Sequence, residues 1–147
     1  MNSSLYPLVI GLVALALATA AGLWLRKRDG LIRESTPQDS NELVSLLTEV
    51  GFTAKGPAVV HFSATWCAPC RAVRINAEKV VGDLAGAPFA PQDIEVDIDE
   101  NPRLASYLKV LSLPTTVIVD RDGGQRFRAA GVPSVADLRT ALEPLTS

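Results

Sequence analysis

Two cysteines separated by two residues form the pattern whose residue types point most directly to chemistry. They lie in the segment Trp66-Cys67-Ala68-Pro69-Cys70, and the 147-residue chain has no other cysteine. A short apolar strand pattern precedes this segment and a helical pattern follows it, so Cys67 is predicted at a helix N-terminus. Unpaired N–H groups and the helix dipole stabilise a thiolate there. Cys67 is therefore the candidate nucleophile, and Cys70, on the first turn, is the candidate resolving cysteine.

A zinc site and a pair of unrelated core cysteines are the alternatives to a redox dithiol. A zinc site needs four ligands, and His61 is the single histidine of the chain, so two cysteines and one imidazole cannot complete it. Two unrelated core cysteines are disfavoured because this spacing at a strand–helix junction is typical of a redox dithiol. We predict a redox-active Cys67–Cys70 disulfide, with no metal and no organic cofactor.

The elements that must position these cysteines follow from the periodicity of the sequence. Apolar spacing and turn residues predict the order α-β-α-β-α-β-β-α. Helices are expected at about 40–50, 67–85 and 101–109 and from 134 onward, and strands at 58–64, 94–98, 115–119 and 125–129. The first helix can be capped by Asp39 or Ser40, and Ser134 with Asp137 has the capping-box pattern. Helices alternating with strands predict an α/β fold, a mixed sheet covered by helices on both faces.

Three motifs in this order resemble those of the thioredoxin family. They are Trp66-Cys67-Ala68-Pro69-Cys70, Asp99-Glu100-Asn101-Pro102, and Leu113-Pro114-Thr115 leading into a strand, with a Gly131 loop after the next turn. The resemblance extends from about residue 39 to the end of the chain. It implies a thioredoxin-like fold, a cis Pro114 beside the cysteines, and a monomer that needs no cofactor beyond its disulfide.

The resemblance also implies how substrate and electrons reach the dithiol. Leu113 is expected to offer its backbone to an extended substrate chain. The expected substrate-binding residues are Trp66, Ala68, Pro69, Leu113, Pro114 and Gly131. The expected partners are disulfide-containing proteins as substrates and a thioredoxin-reductase-like enzyme as electron donor.

The sequence departs from the family pattern behind the cysteines. Thioredoxins have a buried aspartate six residues before the first cysteine and a lysine on the next strand, whereas this chain has His61 and Glu95 there. An imidazole beside a carboxylate titrates near neutrality. We predict that His61, oriented by Glu95, accepts the proton of Cys70 during resolution. The alternative is a hydrogen-bonded core histidine, with Glu95 an ordinary surface acid.

The N-terminal end of the chain has a different composition. Residues 5–25 contain no charged side chain, a length that spans a bilayer as a helix, and Tyr6 and Trp24 stand at its two ends. A cleaved signal peptide is the alternative, with small residues at 18–20, but no basic residue precedes the run. We predict a retained transmembrane helix within residues 1–28, a linker over 29–38 and a thioredoxin-like domain over 39–147. The linker could include a short edge strand at Leu31-Ile32.

Charge indicates the orientation of this anchor. The basic residues 26–28 and Arg33 follow the apolar run and none precedes it. The positive-inside rule then places the domain on the cytoplasmic side of the cell membrane. The extracytoplasmic side is the alternative.

A formal net charge of −2 gives no basic field, which argues against nucleic acid as a partner.

The predicted function is that of a membrane-tethered thiol–disulfide oxidoreductase, a reductase of protein disulfides. Ala68 and Pro69, between the cysteines, supply no charge that would stabilise the dithiol form, which favours a reductant. Two alternatives stay open. One is an extracytoplasmic oxidoreductase of the cytochrome-maturation type. The other is a non-catalytic binding module, whose function would survive Cys67→Ser.

Overall fold

The computed structural model describes residues 5–28, 30–34 and 41–147, so most of the predicted linker and the predicted cap at Asp39 or Ser40 lie outside the described residues. Five helices and five strands are described in this part of the chain. The helices are α1 Leu5–Arg28, α2 Asn41–Glu49, α3 Cys70–Asp83, α4 Pro102–Tyr107 and α5 Val135–Leu142, followed by the 3-10 turn Glu143–Leu145. The strands are β1 Arg33–Glu34, β2 Ala58–Ser63, β3 Gln92–Asp97, β4 Thr115–Val119 and β5 Gln125–Ala130.

The strands form one mixed sheet in the order β1-β5-β4-β2-β3. β2 runs parallel to β3 and antiparallel to β4, and β5 is antiparallel to both β4 and β1. β2 lies near the centre and all six of its residues are buried. A strand that is covered on both faces of the sheet needs a mainly apolar sequence, and β2 has one.

Each face of the sheet carries its own hydrophobic core. Because side chains alternate along a strand, Val60 and Phe62 of β2 face one core and Val59 faces the other. The first core includes residues of α2 and α4, namely Leu43, Leu46, Leu47, Leu104 and Ala105. The second includes residues of α3 and α5, namely Ala77, Val80, Leu138, Ala141 and Leu142. The predicted thioredoxin-like α/β fold with helices on both faces is confirmed.

The ends of the helices and strands agree with the predicted ends within a few residues. Gly51, at φ +102°, lies two residues after the end of α2. The hydroxyl of Ser134 accepts a hydrogen bond from the Asp137 N–H at 3.1 Å, which is the predicted cap of α5. The edge strand lies at Arg33–Glu34 rather than at Leu31-Ile32.

The helix after the first cysteine begins later than predicted. α3 starts at Cys70, whereas the sequence pattern indicates a start near Cys67. Between the two cysteines the chain turns more tightly, and the Cys70 N–H donates to the Cys67 carbonyl at 3.3 Å. Pro69 at the N-cap, with φ −70°, lacks an N–H that the first turn would not use. Cys67 therefore lies just before the N-terminal end of α3.

The prediction of a transmembrane helix at residues 5–25 is not supported by the structure. Within the described residues, no helix combines the length and the apolarity needed to cross a membrane. The side chains of the basic residues 26–28 lie outside the described residues.

Candidate active site

Three loops meet at one end of the sheet and form the candidate site. Phe62 at the end of β2 pairs with Thr115 at the start of β4, and Thr115 pairs with Ala130 at the end of β5. The residues just beyond these pairs must therefore lie side by side. They are the cysteine loop after Ser63, the Leu113-Pro114 segment, and Gly131. The topology brings together the loops that the sequence motifs predicted.

The two cysteines form a disulfide, as predicted, with their Cα atoms 5.5 Å apart. Cys67 is half-buried, whereas Cys70 is 4% exposed. A substrate sulfur can therefore approach Cys67 in the reduced protein and cannot approach Cys70 to the same extent. This asymmetry fits the predicted roles of attacking and resolving cysteine.

The sulfur of Cys70 lies against the end of the central strand. Its Sγ is 3.7 Å from the carbonyl oxygen of Phe62. A disulfide sulfur carries no hydrogen, so in the oxidised protein this distance defines the position of the sulfur rather than a hydrogen bond. Once the disulfide is reduced, the Cys70 thiol is placed to donate to that carbonyl.

The surface around Cys67 is open and mostly apolar. Trp66 is 70% exposed, and Ala68 and Pro69 are exposed beside it. These three predicted substrate-binding residues form one continuous segment with the attacking sulfur. An apolar part of a substrate polypeptide can bury surface against them.

The opposite side of the candidate site is built on Pro114. The Leu113–Pro114 peptide bond is cis, as the resemblance implied. The Gly131 N–H donates to the Pro114 carbonyl at 2.9 Å, and the Thr115 hydroxyl donates to the Ser112 carbonyl at 2.7 Å. Gly131 adopts φ +85°, a left-handed conformation that favours glycine. Leu113 is half-buried, so part of it faces solvent next to the proline.

Behind the disulfide, His61 is 1% exposed. Its Nε2 lies 2.9 Å from Oδ1 of Asp93. Glu95, the predicted partner, is the residue directly paired with His61 in the parallel register of β2 and β3. The register counted from the sequence is therefore right. The predicted contact is not made, because the imidazole reaches Asp93 instead.

Glu95 binds an arginine of α3. Its two carboxylate oxygens accept hydrogen bonds from Arg74 Nε and Nη2 at 2.7 and 2.6 Å. The Arg74 hydrogen bond is the main reason why the pKa of Glu95 lies below its usual value, with a smaller contribution from Ser63. The same hydrogen bond raises the pKa of Arg74. Arg74 is thus a bidentate partner that occupies Glu95.

Asp93 is the residue near the site that sequence reasoning missed. Alternation along β3 places Asp93, Glu95 and Asp97 on one face, so any of these carboxylates could have reached an imidazole of β2. The sequence contains this alternation but does not indicate which way the His61 ring turns. The position of Arg74 one turn after Cys70 was the available signal that Glu95 had a competing partner.

The side chains around the disulfide can be compared with what a metal ion requires, which is several ligands close together. Among residues 5–28, 30–34 and 41–147, no group of three or more His, Cys, Asp and Glu side chains is placed to hold a metal ion. The chemistry of the described site is that of two sulfurs that exchange a disulfide for two thiols. A buried imidazole and an apolar rim accompany them.

Comparison with known proteins agrees with this geometry. A family model described as "Thioredoxin" matches residues 44–143. The thioredoxin of Staphylococcus epidermidis is 33% identical over 100 residues, covering 66% of this chain and 92% of the relative. The thioredoxin of Staphylococcus aureus is 32% identical over the same length, with the same coverage.

Solved structures give the same result. Mitochondrial thioredoxin 3 from Saccharomyces cerevisiae, in its oxidised form, matches with a TM-score of 0.55 and 27% identity, covering 67% of this chain and 90% of that one. Chloroplastic thioredoxin z matches with a TM-score of 0.55 and 29% identity, covering 73% and 90%. The matched family model, the relatives and the Cys67–Cys70 disulfide agree with one another. The chain belongs to the thioredoxin family and is a thiol–disulfide oxidoreductase.

Proposed function

We propose that this oxidoreductase works as a reductase of protein disulfides. The observation that carries the proposal is the unequal exposure of the two cysteines, with Cys67 half-buried beside the exposed Trp66 and Cys70 buried. A reductase needs one sulfur that meets the substrate and a second that is protected until the mixed disulfide forms. Ala68 and Pro69 between them add no charge that would stabilise the reduced form and make the protein an oxidant.

The reaction balances as two successive exchanges. The Cys67 thiolate attacks a substrate disulfide, forms a mixed disulfide and releases the first substrate sulfur as a thiolate. Cys70 then loses its proton and attacks the Cys67 sulfur. The Cys67–Cys70 disulfide forms and the second substrate sulfur leaves. The substrate gains two electrons and two protons, and the protein is left oxidised.

The oxidised protein must be reduced again before it can act a second time. We propose a thioredoxin-reductase-like enzyme as the electron donor. The thioredoxins among the relatives support the same class of donor for this chain. Disulfide-containing proteins are the proposed substrates, because the open segment around Cys67 can accommodate an extended chain beside the Pro114 loop.

The test is the reduction of insulin by the reduced protein. Wild type is expected to reduce insulin and to accumulate the Cys67–Cys70 disulfide. Cys67→Ser is expected to abolish the reaction, and Cys70→Ser is expected to trap substrate in a mixed disulfide with Cys67. A Cys67→Ser protein that retains its cellular function would instead support the non-catalytic binding module.

Location in the cell is a separate proposal. We place the domain at the cytoplasmic face of the cell membrane, and the support lies in the sequence: an uncharged run at 5–25 followed by basic residues at 26–28. A reporter that is active only outside the cytoplasm, fused after Ser147, should stay silent, and the protein should stay with the membrane fraction at high salt. An active reporter would favour the extracytoplasmic, cytochrome-maturation alternative. Recovery in the soluble fraction would remove the membrane from the proposal.

A further inference from the structure

Two buried polar atoms have no hydrogen-bond partner among the described residues. They are Nδ1 of His61 on β2 and Oγ1 of Thr116 on β4. The two residues face each other directly in the antiparallel pairing of β2 and β4, and each is 1% exposed. Buried polar atoms are almost always hydrogen-bonded, so an unpartnered pair on the two central strands calls for an explanation.

The contact with Asp93 determines which nitrogen of His61 is free. An ionised carboxylate only accepts hydrogen bonds, so the 2.9 Å contact requires the hydrogen to be on Nε2. In the neutral imidazole, Nδ1 then carries a bare lone pair. Asp93 is 21% exposed at its side chain, so it keeps contact with water while it orients a ring that has almost none.

The free nitrogen lies on the side of the sheet that faces α3. Val59, two residues before His61 on β2, belongs to the core that contains Ala77 and Val80 of α3. Alternation along the strand places the His61 side chain on that same face. The imidazole is therefore between the central strand and the helix that begins with Cys70.

Contacts of two neighbouring residues, Phe62 and Glu95, show which part of α3 lies next to His61. Cys70 Sγ is 3.7 Å from the carbonyl of Phe62, the residue after His61. Glu95, the register partner of His61, reaches Arg74, which is one helical turn beyond Cys70. His61 thus lies at the level of the first turn of α3, behind the buried sulfur.

We propose that Asp93 is the positioning residue for the resolving step: it holds His61 as the Nε2–H tautomer, so that Nδ1 accepts the proton of Cys70. This inference rests on the proposed reductase function and deepens it. No sulfur lies within hydrogen-bond distance of Nδ1 in the oxidised protein, so the proton of Cys70 reaches Nδ1 through one bridging water. The imidazole then becomes a cation beside the Asp93 carboxylate, which stabilises it. The new thiolate attacks Cys67 Sγ, and the departing substrate thiolate is protonated by solvent or by the imidazolium.

Glu95 has a different part in this arrangement. Its carboxylate is held by two hydrogen bonds from Arg74, so it is not available to orient the ring. Several more polar groups share the face on which His61 lies and affect its electrostatic environment. They are Cys70 and Arg74 from α3, Asp93, Glu95 and Asp97 from β3, and the uncharged Thr116 from β4.

The experiment separates attack from resolution in a single turnover. Reduced protein is mixed with excess symmetric aryl disulfide whose released thiolate absorbs visible light. Cys67 attack releases the first thiolate at a rate proportional to the reagent concentration. Cys70 attack releases the second at a rate independent of that concentration. Both rates are measured from about pH 5 to pH 8, the range in which an imidazole titrates.

Asp93→Asn is the informative variant, because an amide can donate to Nε2 and favour the wrong tautomer. The second phase is expected to slow by about tenfold or more, since positioned acid–base groups contribute about 10²–10⁴-fold. The first phase should be unchanged. Glu95→Gln is the matched control on the same strand and face. Its first phase should equal that of wild type, and its second phase should slow much less than that of Asp93→Asn. Urea unfolding of each variant checks that it is folded.

A double variant tests whether Asp93 acts through His61. His61→Gln should slow the second phase on its own, and adding Asp93→Asn should slow it little further, because the residues form one unit. The proposal is overturned if Asp93→Asn resolves like wild type, if Glu95→Gln is slowed as much, or if the two effects multiply. A wild type that releases neither thiolate would instead count against the reductase function itself.

Discussion

Glu95 lies directly opposite His61 across the parallel β2–β3 pair, yet its carboxylate binds Arg74. The histidine turns to Asp93, two residues earlier on β3. These two carboxylates lie on the same face of β3, and each has its own partner. Among the residues that the structure describes, Nδ1 of the imidazole is left without a hydrogen-bond partner.

The Glu95–Arg74 pair should make stability depend on pH in a defined direction. The pKa of Glu95 is lowered in the folded protein, chiefly by Arg74. Its contribution to stability is therefore present above the pKa of the unfolded chain and is lost as pH falls through the lower folded pKa. Both side chains are well exposed to solvent, so the effect should be small.

Comparison of wild type with Arg74→Gln by urea unfolding measures this contribution. The difference in unfolding free energy should be present at neutral pH and should shrink at about pH 4 and below, around the usual carboxyl pKa. Added salt should reduce it. A difference that grows as the pH falls would contradict the assignment.

The two thiols of the reduced protein should react with alkylating agents at very different rates. Cys67 is half-buried just before the N-terminal end of α3, whereas Cys70 is buried against the Phe62 carbonyl. Thiolate character and access both favour Cys67. Peptide mapping after a short pulse of iodoacetamide should find the label mainly on Cys67. Equal labelling would remove the main support for the assigned roles.

Gly131 is expected to be sensitive to a side chain because of its backbone conformation. At φ +85° an L-residue is strained, and Gly131→Ala should lower the unfolding free energy by about 1–2 kcal/mol. The N–H that binds the Pro114 carbonyl would also shift. Gly82→Ala is the control, since it lies inside α3 with open space around the added carbon. It should stabilise the protein by about 0.5–1 kcal/mol, so a loss at both positions would contradict the argument.

The parts of the fold that follow from local patterns were predictable from the sequence. The apolar run of β2, the TTVIV strand and the Ser134 cap each carry a local signal that tertiary packing did not override. The predicted start of α3 is too early, because nothing in the periodicity shows that the chain between Cys67 and Cys70 turns more tightly than an α-helix. The predicted short edge strand is displaced by two residues, since its pairing is set by β5 rather than by its own composition.

The candidate site also has parts that the sequence predicts and one part that it does not. The cysteines, the cis proline and the Gly131 loop belong to motifs and could be placed from the sequence. The partner of His61 could not, because the choice between Asp93 and Glu95 depends on a side-chain rotation and on competition from Arg74 of another element. Tertiary contacts determine this choice, and a correctly counted strand register does not predict them.

Two neighbouring threonines on β4 offer the last prediction. Thr115 and Thr116 are each 1% exposed, but the Thr115 hydroxyl donates to the Ser112 carbonyl at 2.7 Å, whereas the Thr116 hydroxyl is an unpartnered atom among the described residues. Replacing each by valine removes the oxygen and keeps the shape of the side chain.

Thr116→Val relieves the cost of burying an unpaired hydroxyl and should raise the unfolding free energy by about 1 kcal/mol. Thr115→Val should lower it by about the same amount, since it removes a hydrogen bond and leaves a carbonyl with one partner fewer. If Thr116→Val instead destabilises the protein as much as Thr115→Val, its hydroxyl has a partner in solution.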